Sequence, residues 1–321
     1  ISKNTNLSFN NQPLINIIST LDNYFYSFNS NPLPIRKIIF DDFSLLNLSF
    51  SLDFFKNSNF TDKEINISSK VAMIDLNTWN KFKSLSQTAN ATLKRESWLD
   101  ATILDDKQIL HLDRFYQNEN IKTNTNLNYF LVGYENKISS IDSSNIDTIK
   151  QSTFDNLTNW SHLTITLSSN IQTIEANAFN NSDLQITLAS DFNPTTILDN
   201  AFAYSRITGD LNFTNLSQLG IGAFSNTKIT SINFNQLTQI ADSTFNYCSE
   251  LVTATLPNVT SIGKYAFNYC SKLTSFDFAN IAKLDNYAFA YCSSLTNDIH
   301  LKDDIDLGQY VFNSISPKIT I

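Results

Sequence analysis

The chain has 321 residues, 42% of them apolar, enough for a large core in one elongated domain or two compact ones. Its net charge is −8, its pI is near 4.8, and no Lys/Arg run exceeds two residues. That excludes the clustered positive surface on which nucleic acid or an anionic membrane binds, and no apolar run approaches the ~20 residues that cross a bilayer. The first residue is Ile1 rather than Met. Removal of an upstream targeting segment is therefore expected, and the missing signal carries no information.

In the first 145 residues, "PLINIISTLDNYFYSF" (13–28) and "NTWNKFKSLSQTANATLKRESWLDA" (77–101) read as helices. Asn77 or Thr78 is the expected cap of the second. "LLNLSFSLDFF" (Leu45–Phe55) alternates apolar and polar residues and predicts a half-buried strand, and "NLNYFLVGY" (Asn126–Tyr134) a second one. Residues 1–145 are expected to form a separate α+β domain, with no resemblance on which a family can be named.

From about residue 146 a motif recurs: "IEANAF", "LDNAFAYS", "IADSTFNYCSEL", "IGKYAFNYCSKL", "LDNYAFAYCSSL". Its anchoring aromatic falls at Phe154, Phe179, Phe202, Phe224, Phe245, Phe267, Phe289 and Phe312, with spacings of 21 to 25 residues. After each anchor comes a polar turn and then a short alternating run. In "LTSFDF", Leu273, Phe276 and Phe278 are expected to face inward, with Ser275 and Asp277 outward. A unit of this length cannot bury its apolar face alone, so the copies must stack about 4.8 Å apart into a solenoid with a Phe spine. Residues 146–321 are thus expected to form a curved, parallel-β solenoid of about eight repeats of ~22 residues.

"SIGKYAFNYCSKLTSFDF" (Ser261–Phe278) and "QIADSTFNYCSELVTATLP" (Gln239–Pro257) resemble the BspA-type leucine-rich repeat of bacteria. The resemblance implies a leucine-rich-repeat fold and a cell-surface or secreted protein of a host-associated microbe. It also implies adhesion to an extracellular protein of a host or neighbouring cell. The Asn- and Ile-rich composition and the want of disulfides fit a wall-less bacterium, in which such proteins often carry a lipid anchor upstream.

Three cysteines, Cys248, Cys270 and Cys292, stand 22 residues apart inside the repeat. Side chains related by a stack lie in a row and cannot converge on a tetrahedral metal. Their Cβ vectors run parallel, which also disfavours a disulfide. They are expected to be buried apolar fillers. His111, His162 and His300 sit in separate segments with no partner at a catalytic spacing. The acidic pairs Asp41-Asp42, Asp105-Asp106 and Asp303-Asp304 lack the ligand pattern of a calcium loop. The six glycines form no phosphate-binding loop. Neither a cofactor nor a metal is expected.

The outward strand positions remain. Thr166, Thr187, Asn212, Asn233, Thr255, Asp277 and His300 form one column, and Thr164, Gln185, Asp210, Ser231, Thr253, Ser275 and Asp298 a parallel one. This polar ribbon is the candidate protein-binding face, although it lacks the Tyr, Trp and Arg anchors common at interfaces. The expected function is non-catalytic binding. One alternative is an enzyme whose first domain gathers Trp79, Trp98, Lys94, Arg95 and Asp100 around a pocket while the repeats recruit substrate. Another is a structural surface coat.

Overall fold

The structure, a computed structural model, describes residues 5–9, 34–40, 45–46, 59–68, 71, 73–89, 91–95, 99, 101–118 and 124–320. The helix expected at 13–28 and the alternating strand beyond Leu46 lie outside these residues. Two compact units form: residues 1–105 with 128–137, and residues 106–127 with 138–321.

The first unit contains β1 (Thr5–Phe9), β2 (Pro34–Phe40), β3 (Leu45–Leu46), β4 (Asn59–Ile67), β5 (Met73–Ile74), α1 (Leu76–Ala89) and β6 (Thr92–Arg95). β1, β2, β4 and β6 pair in that order, all in parallel, and β3 pairs in parallel with β5. Trp79, Phe82 and Leu85 recur every third residue on α1 and form its buried face. The Phe82 ring sits 4.8 Å from that of Phe40. The cap is neither Asn77 nor Thr78. Asp75 occupies the N-cap, and its carboxylate accepts the Thr78 N–H at 3.0 Å. The helix also stops at Ala89, short of residue 101, because Thr92–Arg95 is taken up in pairing with Glu64–Ile67.

The strand expected over Asn126–Tyr134 is a short helix, Leu127–Phe130, followed by turns. Leu127, Phe130, Leu131 and Tyr134 are buried, at i, i+3, i+4 and i+7, which is the helical period rather than the strand period, and Val132 is buried in the turn.

The second unit winds as a parallel coil joined along three hydrogen-bonded tracks. The ribbon track begins upstream of residue 146, where Ile109–His111 pairs with Ser140–Asp142, and continues through Thr164–Leu167 and Gln185–Leu188. It resumes in Thr208–Phe213, Lys228–Phe234 and Thr253–Thr255, and again in Ile299–His300 and Ile319–Thr320. Two-residue strands such as Thr173–Ile174 and Ser261–Ile262 make the second track, turning their apolar residue into the core except in the last, where Leu307 is exposed.

The third track carries the anchoring Phe. Seven of the eight rings are fully buried, and successive centroids lie 4.8 to 6.0 Å apart with planes within 22° of parallel. Backbone donors alternate here. The N–H groups of Ala266 and Asn268 bond three residues back within their own coil, whereas Tyr265, Phe267 and Tyr269 donate to Asn286, Ala288 and Ala290 of the next. The alternation satisfies every second donor across the stack. It requires left-handed backbone two residues before and two after each Phe, at φ of 49° to 62°. Asn, Ser and Gly fill these places in the early coils; Tyr, which resists that conformation, fills most of the later ones.

"LTSFDF" departs from expectation. Ser275 bridges Thr253, but no strand runs through Phe278. The inward slot holds buried Ile165, Ile186, Leu211 and Ile232 and then half-buried Ala254 in earlier coils, and Phe276 is half-buried too. Its ring packs edge-on to Phe267 and Phe289, with centroids 5.5 and 4.8 Å away. The sheet breaks off after this coil, as it does between Leu188 and Thr208.

Candidate interaction surface

The register places the ribbon residues as neighbours. Thr166 pairs with Thr187, Asn212 with Asn233, and Asn233 with Thr255, while Thr164 pairs with Gln185 and Ser231 with Thr253. All of the first column is exposed except half-buried Asn233. The side chains also bond along the axis: Thr166 Oγ1 to Thr187 Oγ1 at 2.8 Å, and Asn233 Nδ2 to Asn212 Oδ1 at 3.0 Å. Asp210 accepts from the hydroxyls of Ser231 and Thr230, both at 2.7 Å, and these bonds hold its carboxyl below the ordinary value. Asp277, Asp298 and His300 flank the interruption after Phe276, and there the surface opens into a cavity of about 260 Å³.

The cysteines form a buried column without disulfides. They are more than apolar fillers. Each thiol donates to the carbonyl of the Phe one coil upstream: Cys248 to Phe224 at 3.0 Å, Cys270 to Phe245 at 3.2 Å and Cys292 to Phe267 at 3.1 Å. Burial pushes Cys248 up to about 11 and Cys292 up to about 12, and lifts Cys270 well above the ordinary 9.0. They are poor nucleophiles in this state.

Beside the Phe spine run two rows of tyrosine; the turn tyrosines Tyr204, Tyr247, Tyr269 and Tyr291 stand out in the sequence as an alternative exposed ridge, and the second row, Tyr265, Tyr287 and Tyr310, does not. Tyr247, Tyr269 and Tyr291 stack at 4.6 and 4.2 Å, and Tyr265, Tyr287 and Tyr310 at 5.0 and 5.1 Å. Desolvation and the neighbouring phenols raise the Tyr269 and Tyr287 hydroxyls above their ordinary value. The signal was their fixed place two residues from each Phe.

Each histidine engages a different neighbour: His111 Nδ1 lies 3.0 Å from Asp142, His162 stacks on Trp160, and His300 Nδ1 lies 2.6 Å from Thr320 Oγ1. Among the described residues, no group of three or more His, Cys, Asp or Glu side chains gathers to hold a metal. In the first unit, Trp79 and Arg95 are buried and converge on Gly133, where a Cβ would fall 2.8 Å from the indole and 3.1 Å from Arg95 Cδ. Burial lowers Arg95 to about 10, and its guanidinium lies 4.8 Å from the Tyr134 ring. Lys94 is exposed, and Trp98 and Asp100 lie outside the described residues.

The family model of the BspA type leucine-rich repeat region matches residues 126–252 and 217–320, in six copies. The chain belongs to this family. Among solved structures, a leucine-rich repeat protein from Eubacterium ventriosum is similar at 14% identity and TM-score 0.48, over 97% of this chain and 89% of its own. The pneumococcal vaccine antigen PcpA is similar at 14% identity and TM-score 0.36, over 88% and 65%. A leucine-rich repeat protein from Bacteroides ovatus is similar at 14% identity and TM-score 0.34, over 96% and 84%. No curated protein matches the chain. The BspA-type repeats suggest a repeat-based binding or surface role, and no described helix is long and apolar enough to cross a membrane.

Proposed function

We propose that the protein is a non-catalytic binding protein of the bacterial cell surface, and that its ribbon recognises an extracellular protein of a host or neighbouring cell. One observation supports this reading most. Polar side chains of the ribbon stand exposed and in register on paired parallel strands, making an extended surface that is positioned before any partner arrives. The same pairing holds the ribbon rigid, which lowers the ordering cost of association.

The test immobilises the full chain and exposes it to extracellular host proteins. Thr166→Lys with Asn212→Lys should abolish retention of whichever protein binds. Gln218→Lys with Gln239→Lys, on the short-strand track, should not. Equal retention by both variants would sink the ribbon reading.

A further inference from the structure

The ribbon is almost uncharged from Thr166 to Thr255, and then changes character at one place. Between Ser275–Phe278 and Ile299–His300 the sheet is interrupted, since the strand pairs on either side belong to separate sheets. The opening is a cavity of about 260 Å³. That is below the ~300–1,000 Å³ of pockets for drug-sized molecules, and suits a single inserted side chain. Its lining is divided. Phe276, Phe278, Leu295 and Ile299 give an apolar floor, half-buried at Phe276 and buried elsewhere. Asp277 and Asp298 stand exposed at the rim. Asp277 Oδ1 accepts the Ala279 N–H at 2.9 Å and Asp298 Oδ1 accepts the Lys318 N–H at 3.4 Å, and among the described residues neither carboxylate is in an ion pair.

An apolar floor under two carboxylates complements a side chain with an apolar stem and a cationic head. Half-buried Phe276 adds an aromatic ring to the lining, and a guanidinium or ammonium is attracted to such a ring. We propose that this opening is a socket for an arginine or lysine side chain of the protein held on the ribbon. The socket rests on the ribbon reading and supplies the anchor that the rest of the ribbon lacks. Phe276 lines it beside Phe278.

Blocked arginine (N-acetyl-arginine methylamide) titrated into the full chain should shift the NMR signals of the Leu295 and Ile299 methyls saturably. Blocked citrulline, which has the same shape without the charge, should not. Asp277→Asn and Asp298→Asn should each weaken binding by about tenfold, and added salt should weaken it further. Phe276→Ile puts an aliphatic residue there, as in most other coils, and removes the aromatic side of the opening, so it should weaken binding while the fold persists. Binding of citrulline equal to arginine, or arginine binding undiminished in Asp277→Asn with Asp298→Asn or in Phe276→Ile, would overturn the socket. If blocked arginine fails to bind while Thr166→Lys with Asn212→Lys still abolishes partner retention, the socket is wrong and the ribbon reading stands.

Discussion

Cys270 Sγ lies 3.2 Å from the carbonyl oxygen of Phe245, which also accepts the Cys248 N–H at 3.1 Å. A carbonyl has two acceptor sites. The coil's own turn fills one, and the thiol of the next coil fills the other.

Cys270→Ala should therefore cost about 1–2 kcal/mol, from the lost bond and the small cavity together. Cys270→Ser should cost less, because a hydroxyl still donates; Ser182 and Ser205 are buried three residues after their own Phe in earlier coils. Urea denaturation of both variants gives the comparison. Native thiols should also react slowly with a maleimide and rapidly once unfolded.

The same column contributes to the alkaline limit. Folding raises Cys248 and Cys292 to about 11 and 12, from 9.0. The associated stability is fully present below pH 9, where both states are protonated, and is lost as pH rises through 11 and 12. Replacing all three cysteines by Ser should flatten the decline in melting temperature between pH 9 and the onset of tyrosine ionisation.

Phe224 is fully buried between two rings, whereas Phe312 is half-buried with one spine neighbour, Phe289. Phe224→Ala should cost about 3–5 kcal/mol, and Phe312→Ala clearly less. Because each coil touches only its neighbours, the central variant should also split one unfolding transition into two. Calorimetry distinguishes the cases.

Tyr269 sits at φ 60° and stacks on Tyr247 and Tyr291. Tyr269→Asn loses two ring contacts but relieves the left-handed strain, so the net change should stay within about 1 kcal/mol. Tyr269→Ile loses the stacking and adds a β-branch at positive φ. It should be less stable than the Asn variant by at least about 1 kcal/mol. A reversal of that order in chemical denaturation would remove strain from the account.

What could be seen in the sequence was whatever repeated. Phe154 to Phe312 announced the spine, and the column from Thr166 to His300 fell in register because pairing copies the spacing of the anchors. Features set by size or local context were hidden. Alternation marks Phe276 as inward but does not say that its ring stays half-buried. Leu127, Phe130 and Leu131 carry a helical period that the strand-like residues around them masked. The left-handed sites read as ordinary turn residues where Asn177 or Ser243 occupies them, and only the coordinates show Tyr287 in the same backbone state. The coils upstream of residue 146 lack the Ala-Phe pair, so their parallel pairing left no mark in the text.

The alternating donors of the Phe-bearing turns have a directional consequence. At each of the seven junctions between the eight coils, three N–H groups bond toward the C-terminal neighbour and none of these bonds runs back, as with Tyr265, Phe267 and Tyr269. Along that edge the peptide dipoles add instead of cancelling, in the manner of a helix but across separate turns of chain. The solenoid is thereby an electrically polar rod on one side, positive toward its C-terminal end, whatever charges its side chains carry.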